Sequence, residues 1–327
     1  MTTTHSNRRA ALLCALFVPL GSQCAFAQTY PAKPVTFVVG FAAGGGADVV
    51  ARILGEEMGK VLGRPIVVDN RPGAGGTIGA DLVARAAPDG YTLFIGGLGP
   101  NATAHSLYRN LRYDSLKDFA PIGLFSENPN ALTVHTSVPA KNVGELIALA
   151  KRQPGVLGYA SAGNGSGQHL AGELFKSMAR INIVHVPYKG VAAGMNDLLA
   201  GRIDLMFPPI FSVVPLAKAG RVRVLGVTTL TRSSALPDVP PIAQAGLPGY
   251  EQTAWNALLA PAGTPREIIS ILHAAIGKAL ASDELRRKFE AVGAVPKSST
   301  PDQLAAFLRS ETAKYGKLIK EAGVTVD

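Results

Sequence analysis

Short β-branched runs alternate along this chain with longer stretches in which apolar residues recur every three or four positions. Residues 35–39 read Val-Thr-Phe-Val-Val, the composition of a buried strand. Residues 47–62 then set Val49, Val50, Ile53, Leu54, Met58 and Val61 on one stripe of a helix. The same alternation predicts a strand at 66–69, a helix at 76–86 and a strand at 91–96. A second series starts near Leu132, with strands at 132–135, 157–161, 183–186, 203–207 and 222–228 and helices at 143–152, 167–179, 193–200 and 211–219. Past Tyr250 come one strand, 254–260, and then only helices, at 265–281, 283–292 and 301–322. One strand and a helical tail cannot make a domain of ordinary size, so they pack back on the first series. The pattern predicts an α/β protein of two lobes, each a mostly parallel sheet flanked by helices. Residues 28–128 and 251–327 are expected in the first lobe and 129–250 in the second, with two crossover connections between them.

Residues 1–27 follow a different pattern. Arg8 and Arg9 precede an apolar run at 10–20, and Ala25-Phe26-Ala27 places small residues where a signal peptidase reads, so this segment is expected to be a cleavable secretory signal. Neither it nor any later stretch approaches the roughly 18 uninterrupted apolar residues of a membrane helix. Gln23 before Cys24 departs from the small residue a lipoprotein signal requires. Cys14 and Cys24 both lie in this segment, so the mature chain is expected to hold no disulfide, thiolate metal site or cysteine nucleophile. Its removal takes the formal charge from +9 to +7, because Arg8 and Arg9 leave and no acidic residue does. The remaining cations are scattered and aromatics are only 6% of the chain, which argues against nucleic acid and for a small anionic ligand.

Three glycine-rich turns each join a predicted strand to a predicted helix. They are Phe41-Ala42-Ala43-Gly44-Gly45-Gly46-Ala47-Asp48, Asn70-Arg71-Pro72-Gly73-Ala74-Gly75-Gly76-Thr77-Ile78-Gly79 and Asn164-Gly165-Ser166-Gly167-Gln168-His169. A helix start of small residues leaves backbone N–H groups unpaired, and with the positive end of the helix dipole they suit a carboxylate or phosphate. In open α/β sheets the ligand crevice lies outside the carboxyl ends of the strands, where such joints sit. Glycine also serves ordinary tight turns, and Asp48 and Ser166 occupy cap positions. His169 lies one turn into its helix without neighbouring cysteines or clustered acids, so no metal site is expected there. Trp255 reads as a packing residue.

Seven segments in collinear order carry a family resemblance. They are Gly45-Gly46-Ala47-Asp48, Val67-Val68-Asp69-Asn70-Arg71-Pro72-Gly73-Ala74-Gly75-Gly76, Ala87-Pro88-Asp89-Gly90-Tyr91-Thr92-Leu93 and Ser161-Ala162-Gly163-Asn164-Gly165-Ser166-Gly167-Gln168-His169-Leu170-Ala171-Gly172-Glu173. The others are His185-Val186-Pro187-Tyr188-Lys189-Gly190, Leu236-Pro237-Asp238-Val239-Pro240 and Leu258-Leu259-Ala260-Pro261-Ala262-Gly263-Thr264-Pro265. From Pro34 to Ala322 the chain resembles the substrate-binding receptors of tripartite tricarboxylate transporters, the Bug-type periplasmic proteins. The resemblance implies a type II-like periplasmic-binding-protein fold that closes on a di- or tricarboxylate or an aromatic acid. It further implies delivery to a membrane permease, action as a monomer, and neither cofactor nor catalysis. By position it carries ligand contacts onto Phe41, Gly45, Ala47 and Asp48 in the first turn, Gly75 in the second, and Ser161, Gly163, Ser166 and His169 in the other lobe.

Departures from the family pattern refine the ligand. Pro208 stands after Met206-Phe207, where many relatives carry an acid that can meet an ammonium, so an acid without an amino group is expected. The loop Gly96-Gly97-Leu98-Gly99-Pro100 lacks the usual hydroxyls and Lys189-Gly190-Val191-Ala192-Ala193 the usual proline, pointing to a more apolar pocket. Two other readings compete. A dinucleotide-dependent oxidoreductase would use Gly73-Ala74-Gly75-Gly76-Thr77-Ile78-Gly79, but the third glycine of that motif is out of place. An exported serine hydrolase would use Ser166 with His169, but Asn164 stands where the nucleophile elbow needs glycine. N-terminal sequencing of the exported protein should begin within a few residues of Gln28, and a retained apolar segment would refute the signal reading.

Overall fold

Strands whose consecutive residues are all apolar have to be covered on both faces, and that requirement organises the first lobe. In the computed structural model, which describes residues 1–2 and 30–324, β1 (Val35–Val39) buries Phe37 and Val39 under one helical layer and Val38 under the other. The secretory-signal segment lies, but for its first two residues, outside the described residues. After β1 come α1 (Gly46–Leu62), β2 (Ile66–Asn70), α2 (Thr77–Ala84), β3 (Thr92–Gly97), α3 (Ala104–Leu107) and β4 (Phe119–Pro129). The second series holds β5 (Ala131–His135), α4 (Val143–Arg152), β6 (Gly158–Ser161), α5 (Gly167–Ala179), β7 (Val184–Pro187), α6 (Val191–Leu199), β8 (Leu205–Met206), α7 (Ile210–Lys218) and β9 (Val222–Val227). The chain then adds β10 (Thr253–Pro261), α8 (Arg266–Ala281), α9 (Asp283–Ala291), β11 (Val295–Pro296) and α10 (Pro301–Ala322).

The first sheet has the order β11-β4-β10-β3-β1-β2 and the second β7-β6-β8-β5-β9. β10 enters the first sheet between β4 and β3, so the strand and helices past Tyr250 do pack on the first series. Each sheet is mixed. β1, β2 and β3 are parallel, as are β6, β7 and β8, whereas β4, β10 and β11 and the pairs of β5 with β8 and β9 are antiparallel. β4, β5, β9 and β10 are the strands next to the passages between sheets. Hydrophobic pattern alone missed β4, since Pro121, Gly123 and Pro129 interrupt its apolar alternation. Pairing with β10, with two bulges, keeps it extended.

Leu54 and Met58 of α1 and Leu272 and Ile276 of α8 cover one face of the first sheet, and Val83 of α2 with Leu304 and Leu308 of α10 the other. Trp255 is indeed a packing residue. Its ring meets Phe307 edge-on at 5.3 Å and its Nε1 donates to Glu311 Oε2 at 3.0 Å.

The chain passes from the first sheet to the second at Asn130 and returns over 228–252. Asn130 and Thr228 bond each other through backbone and side chain, Gln252 N donates to Thr228 O at 3.0 Å, and Asn130 Nδ2 donates to Gln252 Oε1 at 3.1 Å. Beside this crossing Leu170 of α5 packs in one cluster with Trp255 and Leu304.

Glycines let the turns after β1, β2 and β3 pack backbone against backbone. A methyl group at Gly40 would lie 2.7 Å from Gly76 Cα, one at Gly79 3.0 Å from Gly40 Cα, and one at Gly99 2.7 Å from Gly75 O. Gly40→Ala should therefore lower stability by about 1–3 kcal/mol, read as a drop in the urea-unfolding midpoint. An unchanged midpoint would show that these turns do not need such close approach.

Candidate ligand-binding site

Parallel pairing puts the turns where a ligand can reach them. Val39 stands beside Asn70 and Ile95 in adjacent strands, so the segments after β1, β2 and β3 all leave the same edge of the first sheet. In the second sheet Ser161 pairs with Pro187 and Ala160 with Met206, so the segments after β6, β7 and β8 likewise share an edge. The two edges meet at Gly167, where a methyl group would lie 3.9 Å from Leu98 Cδ2 of the loop after β3.

The first turn is organised by Asp48. Its buried carboxylate accepts from Gly44 N at 2.8 Å, Asn70 Nδ2 at 2.9 Å and Arg52 Nε at 3.1 Å, and pairs with Arg52 Nη2 at 2.9 Å. Burial raises its pKa, but the hydrogen bonds from Arg52, Gly44 and Asn70 outweigh burial and hold it below the ordinary aspartate value. Asn70 Nδ2 also donates to Phe41 O at 3.0 Å, tying the first turn to the end of β2. Gly45 caps α1 without a side chain, so the amides of Gly46, Ala47 and Asp48 keep no acceptor within the helix. Phe41 is 37% exposed at the rim. In the second turn Ala74, Gly75 and Gly76 all have positive φ, at 44°, 65° and 96°, and α2 begins there without a side-chain cap. A methyl group at Gly75 would sit 3.1 Å from the Tyr108 hydroxyl.

The third turn is held from within. Gly163 N donates to Ser161 Oγ at 3.0 Å, Gly165 N to His169 Nδ1 at 3.0 Å, and His169 N to Ser166 Oγ at 3.3 Å. That leaves the Gly167 and Gln168 amides of the first turn of α5 without a helical acceptor. Ser166 caps the helix and keeps its own hydroxyl proton to donate. Ser161 and His169 are buried, and His169 Nε2 lies 4.0 Å from Glu173 Oε1, beyond hydrogen-bond distance. The turn thus occupies Nδ1 of His169 and leaves Nε2 as its remaining ring nitrogen. The hydrolase arrangement is not formed, since Ser166 Oγ meets the His169 amide and not its ring.

Sequence reading overlooked two further helix starts on the second edge. α6 begins after Gly190 (φ 114°) with no side-chain cap, and α7 begins after Pro209. Lys189, exposed beside the first of them, has no hydrogen-bond or ion-pair partner among the described residues. Their signal was present in the alternation of strand and helix, but those turns lack the glycine runs of the other three. Pro208 is buried at the end of β8, its carbonyl accepting from Ala131 N at 2.9 Å. Elsewhere, Glu56, Glu57 and Glu284 converge as metal ligands might, but Lys60 and Lys288 already bridge them at 2.6–3.0 Å.

Residues 50–324 match the tripartite tricarboxylate transporter family receptor. This chain belongs to that receptor family. Among solved relatives, an R. palustris protein with adipate is 38% identical, with a TM-score of 0.82 over 91% of this chain and 100% of that one. The periplasmic binding protein BugD is 37% identical, with a TM-score of 0.79 and coverage of 91% and 100%. MatC from Rhodopseudomonas palustris with bound malate is 35% identical, with a TM-score of 0.78 and coverage of 89% and 100%. The fold is thus that of the family's two-lobed receptors.

In this receptor the third turn carries an unusual electrostatic element. His169 and His185 stack with ring centroids 3.9 Å apart and an interplanar angle of 14°. Burial is the main cause that brings both pKa values down to about 4; Lys176 adds to it for His169, and His169 and Lys176 do so for His185 against the pull of Glu173. The unfolded chain takes up these protons near the ordinary value of 6.5, whereas the folded chain refuses them until about 4. Folding stability should therefore fall as pH drops through that window. Thermal melting between pH 8 and pH 4 tests this: the melting temperature should decline below about 6.5, and His169→Gln with His185→Gln should flatten that decline. An equal decline in the double variant would assign it to other groups.

Proposed function

We propose that this chain is a periplasmic receptor that captures a small carboxylate lacking an amino group between its lobes and presents it to the membrane permease of a tripartite transporter. The carrying observation is that helix starts with first-turn amides left without an acceptor stand on an edge of each sheet, at Gly46–Ala47–Asp48 and at Gly167–Gln168. One ligand can satisfy donors on each edge, and the closed arrangement is then favoured by that differential contact. Adipate and malate in the solved relatives support a dicarboxylate class. Lys189, beside the start of α6, supplies a cation for a second carboxylate.

The same edge offers nothing to an ammonium group. Asp48 is already neutralised by Arg52 and bonded by Gly44 and Asn70, and Pro208 stands where an acid would be needed. A desolvated, unpaired ammonium costs several kcal/mol. Within this reading Gly45, Ala47, Gly75 and Gly163 shape the backbone around the ligand, Phe41 walls it, and Ser166 donates its hydroxyl proton. Asp48, Ser161 and His169 act by holding the turns. As a receptor the protein catalyses nothing and uses no cofactor.

Thermal-shift titration with succinate, malate, adipate, citrate and benzoate should find at least one that stabilises the protein, with aspartate and glutamate ineffective. Small-angle scattering with the hit should show compaction. A charge-assisted bond contributes about 1.5 to 3 kcal/mol, so Ser166→Ala should weaken that acid roughly 10- to 150-fold. Stabilisation by aspartate or glutamate alone would overturn the ligand class, and binding without compaction would overturn closure.

A further inference from the structure

The proton inventory around the third turn leaves His185 one role. Ser161 Oγ has one hydrogen and two lone pairs. It accepts from Gly163 N at 3.0 Å and donates to Gly163 O at 3.2 Å, so its remaining lone pair faces His185 Nε2 at 2.6 Å. With the hydroxyl proton given to Gly163 O, His185 carries its own proton on Nε2. His169 accepts from Gly165 N on Nδ1, which likewise puts its proton on Nε2. Neither ring can be charged without loss: a second proton on His169 would confront the Gly165 amide, and two imidazolium rings 3.9 Å apart would repel.

We infer that His185 is a positioning residue of this receptor: as a neutral Nε2–H imidazole it donates to Ser161, stacks on His169, and so fixes the 161–166 turn in the form that leaves the Gly167 and Gln168 amides directed to a ligand. Its consequence for binding rests on the carboxylate-receptor reading; its consequence for the turn does not. The surrounding groups are arranged to keep both rings neutral. From β6, Tyr159 stacks on His185 at 4.9 Å and Ser161 accepts from it. From α5, Glu173 is the one carboxylate nearby among the described residues, and it is already occupied by the Tyr159 hydroxyl at 2.6 Å and Lys176 Nζ at 2.8 Å. β7 itself contributes no other ionisable side chain. The pair thus lacks a free anion that would draw a proton onto it, in keeping with pKa values near 4.

The test uses the whole mature protein labelled with 15N, read by long-range imidazole spectra at pH 7 and by amide hydrogen exchange. Both His169 and His185 should appear as neutral Nε2–H tautomers, and the Gly163 and Gly165 amides should be protected. His185→Phe keeps a stacked ring but no donor, and should speed exchange at Gly163 and Gly165 by about 2- to 13-fold, the equivalent of one net hydrogen bond. His185→Gln restores an N–H and should recover most of that protection, which also serves if the Phe variant fails to fold. A Nδ1–H tautomer on either ring, or unchanged exchange in folded His185→Phe or loss of protection in folded His185→Gln, overturns the inference. Adipate affinity separates the two readings. Weakening in His185→Phe in parallel with lost protection supports positioning for binding, whereas no adipate binding by wild type counts against the ligand proposal and leaves the tautomer and exchange results to decide His185.

Discussion

Backbone against backbone is the contact on which this receptor depends. The turns after β1, β2 and β3 approach so closely that Gly40 and Gly99 have no room for a Cβ atom and Gly79 has barely enough. That packing brings helix starts and bare amides to one edge of the first sheet, and side chains at those positions would hold the turns apart. A binding edge made of main chain is rigid and low in conformational entropy. It offers donors to any carboxylate and leaves selection among acids to the surrounding side chains.

The polar side chains nearest the turns serve mostly as fasteners. Asp48 gathers Gly44, Asn70 and Arg52, and Ser161 and His169 each take an amide of the third turn. The bonds from Gly44, Gly163 and Gly165 each engage one backbone donor, and those from Asn70 and Arg52 hold the Asp48 carboxylate in place. Charge follows the same logic. The one buried carboxylate of the first turn is neutralised by Arg52, and burial lowers the pKa of both stacked imidazoles, His169 and His185.

The two sheets are joined where the chain crosses between them. Asn130, Thr228 and Gln252 are buried and bonded to one another at the crossing, and Leu170 packs across it against Trp255 and Leu304. These bonds and the apolar seam hold the two lobes together where the chain crosses.

The sequence by itself determined the alternation of strand and helix, the return of β10 and α8 to α10 onto the first sheet, and the three glycine-rich turns that join strand to helix. These are local properties: periodicity, caps and glycine runs are written in neighbouring residues. It also placed Trp255 in packing, as a large apolar ring opening a strand. Only tertiary structure decided the rest. β4 is a strand because β10 pairs with it across its prolines, and Asp48 is a fastener because Asn70, 22 residues away, arrives beside it. His185 matters because a parallel neighbour sets it against Ser161 and His169. Contacts between residues distant in sequence leave no periodicity behind, so the helix starts were legible in the chain while the groups that hold them in position were not.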